Sequence, residues 1–119
     1  MNLRLQTLLL AHTLMGIDID EKEVVVMIKV IIERQIAEGM ESTYDNAIKK
    51  TLSAMISAHG YVSGATYKDA EDANHRVIIT NWTSLDAWKK WSKSSARADA
   101  IAAIKPILKD QEKFTVLTA

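Results

Sequence analysis

The chain has 119 residues, 48% of them hydrophobic, with 15 basic and 15 acidic side chains and no cysteine. That length suits one domain burying about two-thirds of its unfolded surface, so disorder is not expected. Zero net charge argues against a nucleic-acid partner, and the lack of thiols excludes disulfides, thiolate metal sites and cysteine nucleophiles.

Residues 1–23 read as an N-terminal extension ahead of a domain spanning residues 24–119. Leu8-Leu9-Leu10-Ala11 is apolar, but Gln6, Thr7, His12 and Thr13 interrupt it. No small-x-small cleavage site precedes the acidic Asp18-Ile19-Asp20-Glu21, so a signal peptide is not expected. Nothing approaches the ~18 consecutive apolar residues of a membrane span, and the expected location is cytoplasmic. Two readings of the extension stand side by side. Lys22-Glu23-Val24 can be encoded AAG-GAG-GTN, a bacterial ribosome-binding sequence a few codons before Met27, which makes the preceding residues a translated leader. Alternatively, Leu3 to Leu14 form a helix with Leu5, Leu8 and Leu9 on one face.

Val24 to Glu33 predicts the first strand, with Val24, Val26, Ile28, Val30 and Ile32 on one apolar face. Gly39 breaks the chain. Ser42 with Asp45 then opens a helix whose stripe is Tyr44, Ala47, Ile48, Leu52, Met55 and Ile56, ending near Gly60. Tyr61 to Lys68 and His75 to Trp82 predict a hairpin around the polar Asp69–Asn74 turn. Thr83 with Asp86 caps a short helix carrying Leu85, Trp88 and Trp91. Ser94-Ser95 starts another, with Ala100, Ile101, Ile104 and Leu108 as its apolar face and Pro106 at its end or kink. Lys113 to Thr118 closes as a strand. The order β-α-β-β-α-β, with its second helical region divided, is the α+β ferredoxin-like split arrangement on an antiparallel sheet. Helices cover one face of such a sheet. The other, carrying Val25, Met27 and Ile31, calls for a partner, and a homodimer is the simplest one.

Several of these residues resemble the antibiotic biosynthesis monooxygenase family. Trp82-Thr83-Ser84-Leu85-Asp86-Ala87-Trp88, continuing to Trp91 and Ser94, is similar to its strand-to-helix signature W-x-S-x-E-A-x-x-x-W-x-x-S. Arg34 and Gly39, then His59-Gly60-Tyr61-Val62-Ser63-Gly64, resemble its PGF-x-G turn, although Ala58-His59-Gly60 lacks the proline. The likeness runs from about Met27 to the C-terminus. It implies a dimeric α/β barrel in which two ferredoxin-like sheets join back to back. One branch of the family oxygenates polyphenols without metal or flavin, and another degrades haem. Trp82 matches a tryptophan of the quinone-forming branch, and Trp91 one of the haem-degrading branch. The haem branch also needs an asparagine on the first strand and a histidine ten residues past the helix tryptophan. Here the strand has no asparagine and the ten-residue step lands on Ile101, so haem degradation is not expected.

Trp82, Trp88 and Trp91 are the candidate substrate-binding residues, because stacked indoles would hold a planar molecule; the alternative is that they are core. Tyr67, His75 and Asn81 are the polar candidates for catalysis, and Tyr61 and Tyr67 share a strand face. His59 and His75 lack metal-ligand spacing, the acidic turn lacks a calcium-loop pattern, and no phosphate or dinucleotide fingerprint occurs. Ser63 sits one position late for a nucleophile elbow, and within a strand. The function expected is a cofactor-independent monooxygenase binding a small aromatic molecule. The alternative is a non-catalytic ligand-binding or interaction module on the same fold, and oxygen-dependent turnover separates the two.

Overall fold

A computed structural model describes residues 27–119. The predicted start of the first strand at Val24, the face residues Val25 and Val26, and both readings of the extension lie outside the described residues. Strand β1 runs Ile28–Gln35, two residues beyond the predicted end. Its alternation puts Ile28, Val30, Ile32 and, unexpectedly, Arg34 on the buried side. Lys29, Ile31, Glu33 and Gln35 occupy the other face.

Helix α1, Glu41–Ile56, buries Tyr44, Ile48, Thr51 and Met55, one stripe at helical spacing. Two expectations change here. The helix starts at Glu41, with Met40 at the N-cap and no side-chain cap, so Ser42 lies inside it. Asp45 is drawn instead to Arg76 Nη1, at 2.6 Å, because a buried guanidinium outcompetes a solvated helix end. Ile56 is 65% exposed rather than part of the stripe.

Strands β2, Tyr61–Lys68, and β3, His75–Trp82, form the predicted hairpin. In its turn, the Asp69 and Asp72 side chains accept from the backbone N–H groups of Glu71 and Asn74, both at 2.9 Å. Helix α2, Leu85–Ser92, is capped by Ser84, whose hydroxyl accepts from Ala87 N–H at 3.1 Å. The cap is therefore one residue later than the predicted Thr83, and Asp86 pairs with Lys90 across one turn. Helix α3, Ser95–Ile101, begins under Ser94, which accepts from Arg97 N–H as the Ser94-Ser95 pair predicts. It stops at Ile101, before Pro106, which sits in a separate 3-10 turn over Lys105–Ile107. Strand β4 is Lys113–Thr118.

The sheet order is β2-β3-β1-β4 with every pair antiparallel, the ferredoxin-like order. Among the described residues the helices lie on the face of the sheet that carries Val30, Ile32, Ile78 and Trp82. Among the described residues no helix is long and apolar enough to cross a membrane.

Candidate functional site

The helix-covered face carries an aromatic layer. Trp82 ends β3 with no solvent exposure, and its indole N–H donates to Thr80 Oγ1 at 2.9 Å. That hydroxyl donates onward to Val30 O at 3.2 Å, so both buried polar groups are satisfied. Trp88 packs its edge against Trp82 at 5.7 Å, and Trp91 lies nearly parallel to it at 6.4 Å. Tyr61 meets Trp82 edge-on at 5.6 Å, while Phe114 touches Trp88 at 5.7 Å. Such pairs add about 0.5–1.5 kcal/mol each beyond area burial. Spacing explains the layer: Trp88 and Trp91 are three residues apart on α2, and Trp82 stands beneath them.

A groove of about 300 Å³ between α1 and α2 is lined in part by Trp91, which like Trp88 is buried, the two being 6% and 5% exposed. Its lining includes Ala54, Ala58 and Ala87, with His59 and Lys90 as its titratable members. Small alanines leave the space, and Gly60 packs directly against one of them, Ala87. Gly60 has a φ of +84°, and a Cβ there would run into Ala87 and lie 2.9 Å from Thr83 Oγ1.

The polar candidates are elsewhere. Tyr67 pairs with Val77 and is 54% exposed, His75 pairs with Gln35, and Asn81 pairs with Lys29. All three therefore project from the open face of the sheet, opposite Trp82, and form no constellation with the tryptophans. Asn81 donates to Ser63 Oγ at 3.0 Å. The Nδ1 of His75 faces Asp69 at 2.9 Å and its Nε2 faces Glu33 at 3.3 Å. The Asp69 hydrogen bond, partly opposed by desolvation and reinforced by Glu33, raises the His75 pKa above its ordinary value. The expectation that Tyr61 and Tyr67 share a face fails. A bulge between Tyr61 and Ser63 shifts the register, turning Tyr61 toward Trp82 while Tyr67 stays on the open side.

One cluster was not anticipated. Arg34 is buried beside Tyr44, donating to its hydroxyl from Nη1 at 3.1 Å. Its Nε and Nη2 both reach Glu112 Oε2, at 3.0 and 2.9 Å. Arg97 Nη2 donates to both oxygens of the same carboxylate at 2.9 Å. Burial raises the Glu112 pKa, but the charges of Arg34 and Arg97 outweigh it and hold the carboxyl below its ordinary range. The available signal was Arg34 itself, a charge on the otherwise apolar face of β1. The cluster borders a second groove, of about 750 Å³, beside β4. Among the described residues, no group of three or more His, Asp or Glu side chains is placed to hold a metal ion.

The model of the family described as "Antibiotic biosynthesis monooxygenase" matches residues 27–103, which is 77 of the 119 residues. Among solved structures, SnoaB, a cofactor-independent oxygenase from Streptomyces nogalater, is similar with a TM-score of 0.71 at 15% identity, over 79% of this chain and 93% of that one. Rv0793 from Mycobacterium tuberculosis is similar at a TM-score of 0.69 and 17% identity, over 78% and 94%. A conserved protein from Methanosarcina mazei Go1 follows at 0.71 and 12%, over 78% and 92%. No curated protein matches the sequence.

Proposed function

Because the chain belongs to the antibiotic biosynthesis monooxygenase family, we propose that it is a cofactor-independent monooxygenase acting on a small hydrophobic aromatic molecule. The reading rests on one observation: the alanine-lined groove reaches the small accessible part of Trp91, 6% of the residue, whose ring is stacked on the sealed Trp82. A flat apolar ring fits between alanine walls and an indole, which removes it from water. The likeness to SnoaB, a cofactor-independent oxygenase, supports the same chemistry. The substrate supplies the electrons that reduce oxygen. One oxygen atom enters the product and the other leaves as water. His59 is the group in the groove suited to take the proton from a phenol or an acidic carbon. The Lys90 ammonium is suited to oppose the negative charge that develops on substrate or oxygen.

The protein acts as a cytoplasmic homodimer joined through the open sheet faces, where Ile31, Ile79 and Leu117 supply apolar area. Trp82 and Trp88 serve as the rigid backing of the pocket, and Trp91 is its contact surface. The second reading, a binding module without chemistry, is favoured by the placement of Tyr67, His75 and Asn81 on the face away from the tryptophans. Oxygen uptake with a panel of anthrone-like and naphthol-like phenols decides between them. Turnover that falls at least about tenfold in His59→Gln and in the groove-filling Ser57→Phe, both at exposed positions of the groove, supports the oxygenase. Saturable binding without oxygen uptake leaves the binding module.

A further inference from the structure

The Arg34–Glu112–Arg97 cluster has an unbalanced charge: two guanidinium groups share one carboxylate. Their side chains are 1% and 10% exposed, and that of Glu112 is 9% exposed. A cation held this far from water without its own counter-charge is unfavourable, and its neighbours normally supply an anion. Among the described residues none does so for Arg97 beyond the shared Glu112. Arg97 spends only Nη2 on that carboxylate, which leaves the N–H donors of Nε and Nη1 without a partner among the described residues. Its guanidinium stands over the Phe114 ring, 5.3 Å from the centroid.

These groups line the groove of about 750 Å³ beside β4, a size that suits a small molecule. Lys105 and Lys109 also line it, against a single further acid, Asp110. Three cations therefore face two carboxylates, and one of those, Glu112, already neutralises Arg34. Leu108 and Phe114 form the apolar part of the lining, and Phe114 is 43% exposed although it packs on Trp88. A surface that joins spare guanidinium donors, two exposed ammonium groups and an open aromatic face is complementary to an anionic ring.

We propose that this groove binds a small aromatic carboxylate, its oxyanion held by Arg97 with Lys105 and Lys109 and its ring lying on Phe114 and Leu108. The site is separate from the Trp91 groove, and the proposal does not depend on the oxygenase reading. Glu112 acts here as a positioning residue: by gripping Nη2 it fixes the Arg97 plane over Phe114 and leaves the remaining donors to the ligand.

The test uses 2-naphthoate as probe, with 2-naphthol as the ring lacking a carboxylate and inorganic phosphate as the oxyanion lacking a ring. Titrations of the full chain are followed by NMR on the Arg97 Nε–H and the Phe114 ring. Naphthoate should move both signals saturably, with millimolar or tighter affinity, and neither control should move both. Lys105→Met/Lys109→Met replaces only exposed side chains, so it keeps the fold. It should weaken naphthoate binding by about fivefold, two exposed charge contacts together. Raised salt should weaken binding in the parent more than in the double variant. Naphthoate that leaves the Arg97 and Phe114 signals unmoved at millimolar concentration overturns the proposal. So does an affinity unchanged in the double variant, or one abolished by Ser57→Phe, which fills the other groove from an exposed position and would put the ligand there.

Discussion

Arg34 and Glu112 are 78 residues apart in sequence, yet two guanidinium nitrogens of the first meet one carboxylate oxygen of the second at 2.9–3.0 Å. The pair joins the end of β1 to the residue that introduces β4. It therefore closes the sheet edge over the polar end of the core, while the tryptophans fill the other end.

Removing that carboxylate charge strands two buried guanidinium groups. Glu112→Gln is expected to cost about 3 kcal/mol, because breaking a buried pair leaves its partner's charge uncompensated. Urea denaturation measures the loss. A change under about 0.5 kcal/mol would mean that the cluster is solvated in the folded protein.

The His75 carboxylate clamp sets a pH dependence of known sign. The folded pKa is raised above the ordinary 6.5, so the stabilisation is complete below 6.5 and is lost as pH rises through the folded value. Asp69 is lowered from 3.8, chiefly by its hydrogen bond to His75, so its share is present above 3.8 and lost as pH falls through the folded value. The surrounding charges are Glu33, which also faces Lys113, and Asp72, which accepts from Gln35. His75→Gln should therefore flatten the decline in melting temperature expected above pH 6.5, and 1 M salt should shrink the difference between the two proteins. Parallel melting curves from pH 6 to 9 would remove the clamp from the account.

Two glycines share nearly the same backbone and differ in their surroundings. Gly39 has a φ of +83° with nothing near its missing Cβ, whereas Gly60, at +84°, abuts Ala87 and Thr83. Gly39→Ala is expected to cost about 1 kcal/mol from backbone strain alone. Gly60→Ala should cost about 3 kcal/mol, since strain and overpacking add. Equal losses for the two would show that the α2 end yields freely.

Ile31 and Ile79 face each other near the centre of the open sheet face. Light scattering should report about twice the 13.3 kDa chain mass, and Ile79→Lys should shift it to the monomer. A parent chain that is monomeric at micromolar concentration would refute the back-to-back dimer.

Haem is not expected as a ligand. Ile101, at the position where the haem-degrading relatives are expected to place a histidine, is 1% exposed and packed in the core. Of the other histidines within the described residues, His59 is exposed and His75 is engaged by two carboxylates on the open face. A haemin titration should give no sharp Soret band. A stoichiometric band that decays with reductant would make haem oxygenation the leading activity.

Much of this architecture is written in local pattern. The buried side of β1, the Tyr44–Ile48–Met55 stripe and the hairpin bounds at Tyr61–Lys68 and His75–Trp82 follow from periods of 2 and 3.6. A side chain's direction along one regular element depends on that element alone. The same parity already separates His75 and Asn81 from Trp82 on β3. What local pattern could not specify is every feature set by a distant partner. Arg76 takes Asp45 away from a cap, and a bulge in the pairing of β2 with β3 parts Tyr61 from Tyr67. The buried charge of Arg34 announced a need without naming who would meet it, since electrostatic attraction acts through space and Glu112 and Arg97 arrive only when the chain has closed. Grooves belong to the same class: Ala87 and Trp91 are unremarkable on a helix until α1 is laid beside them.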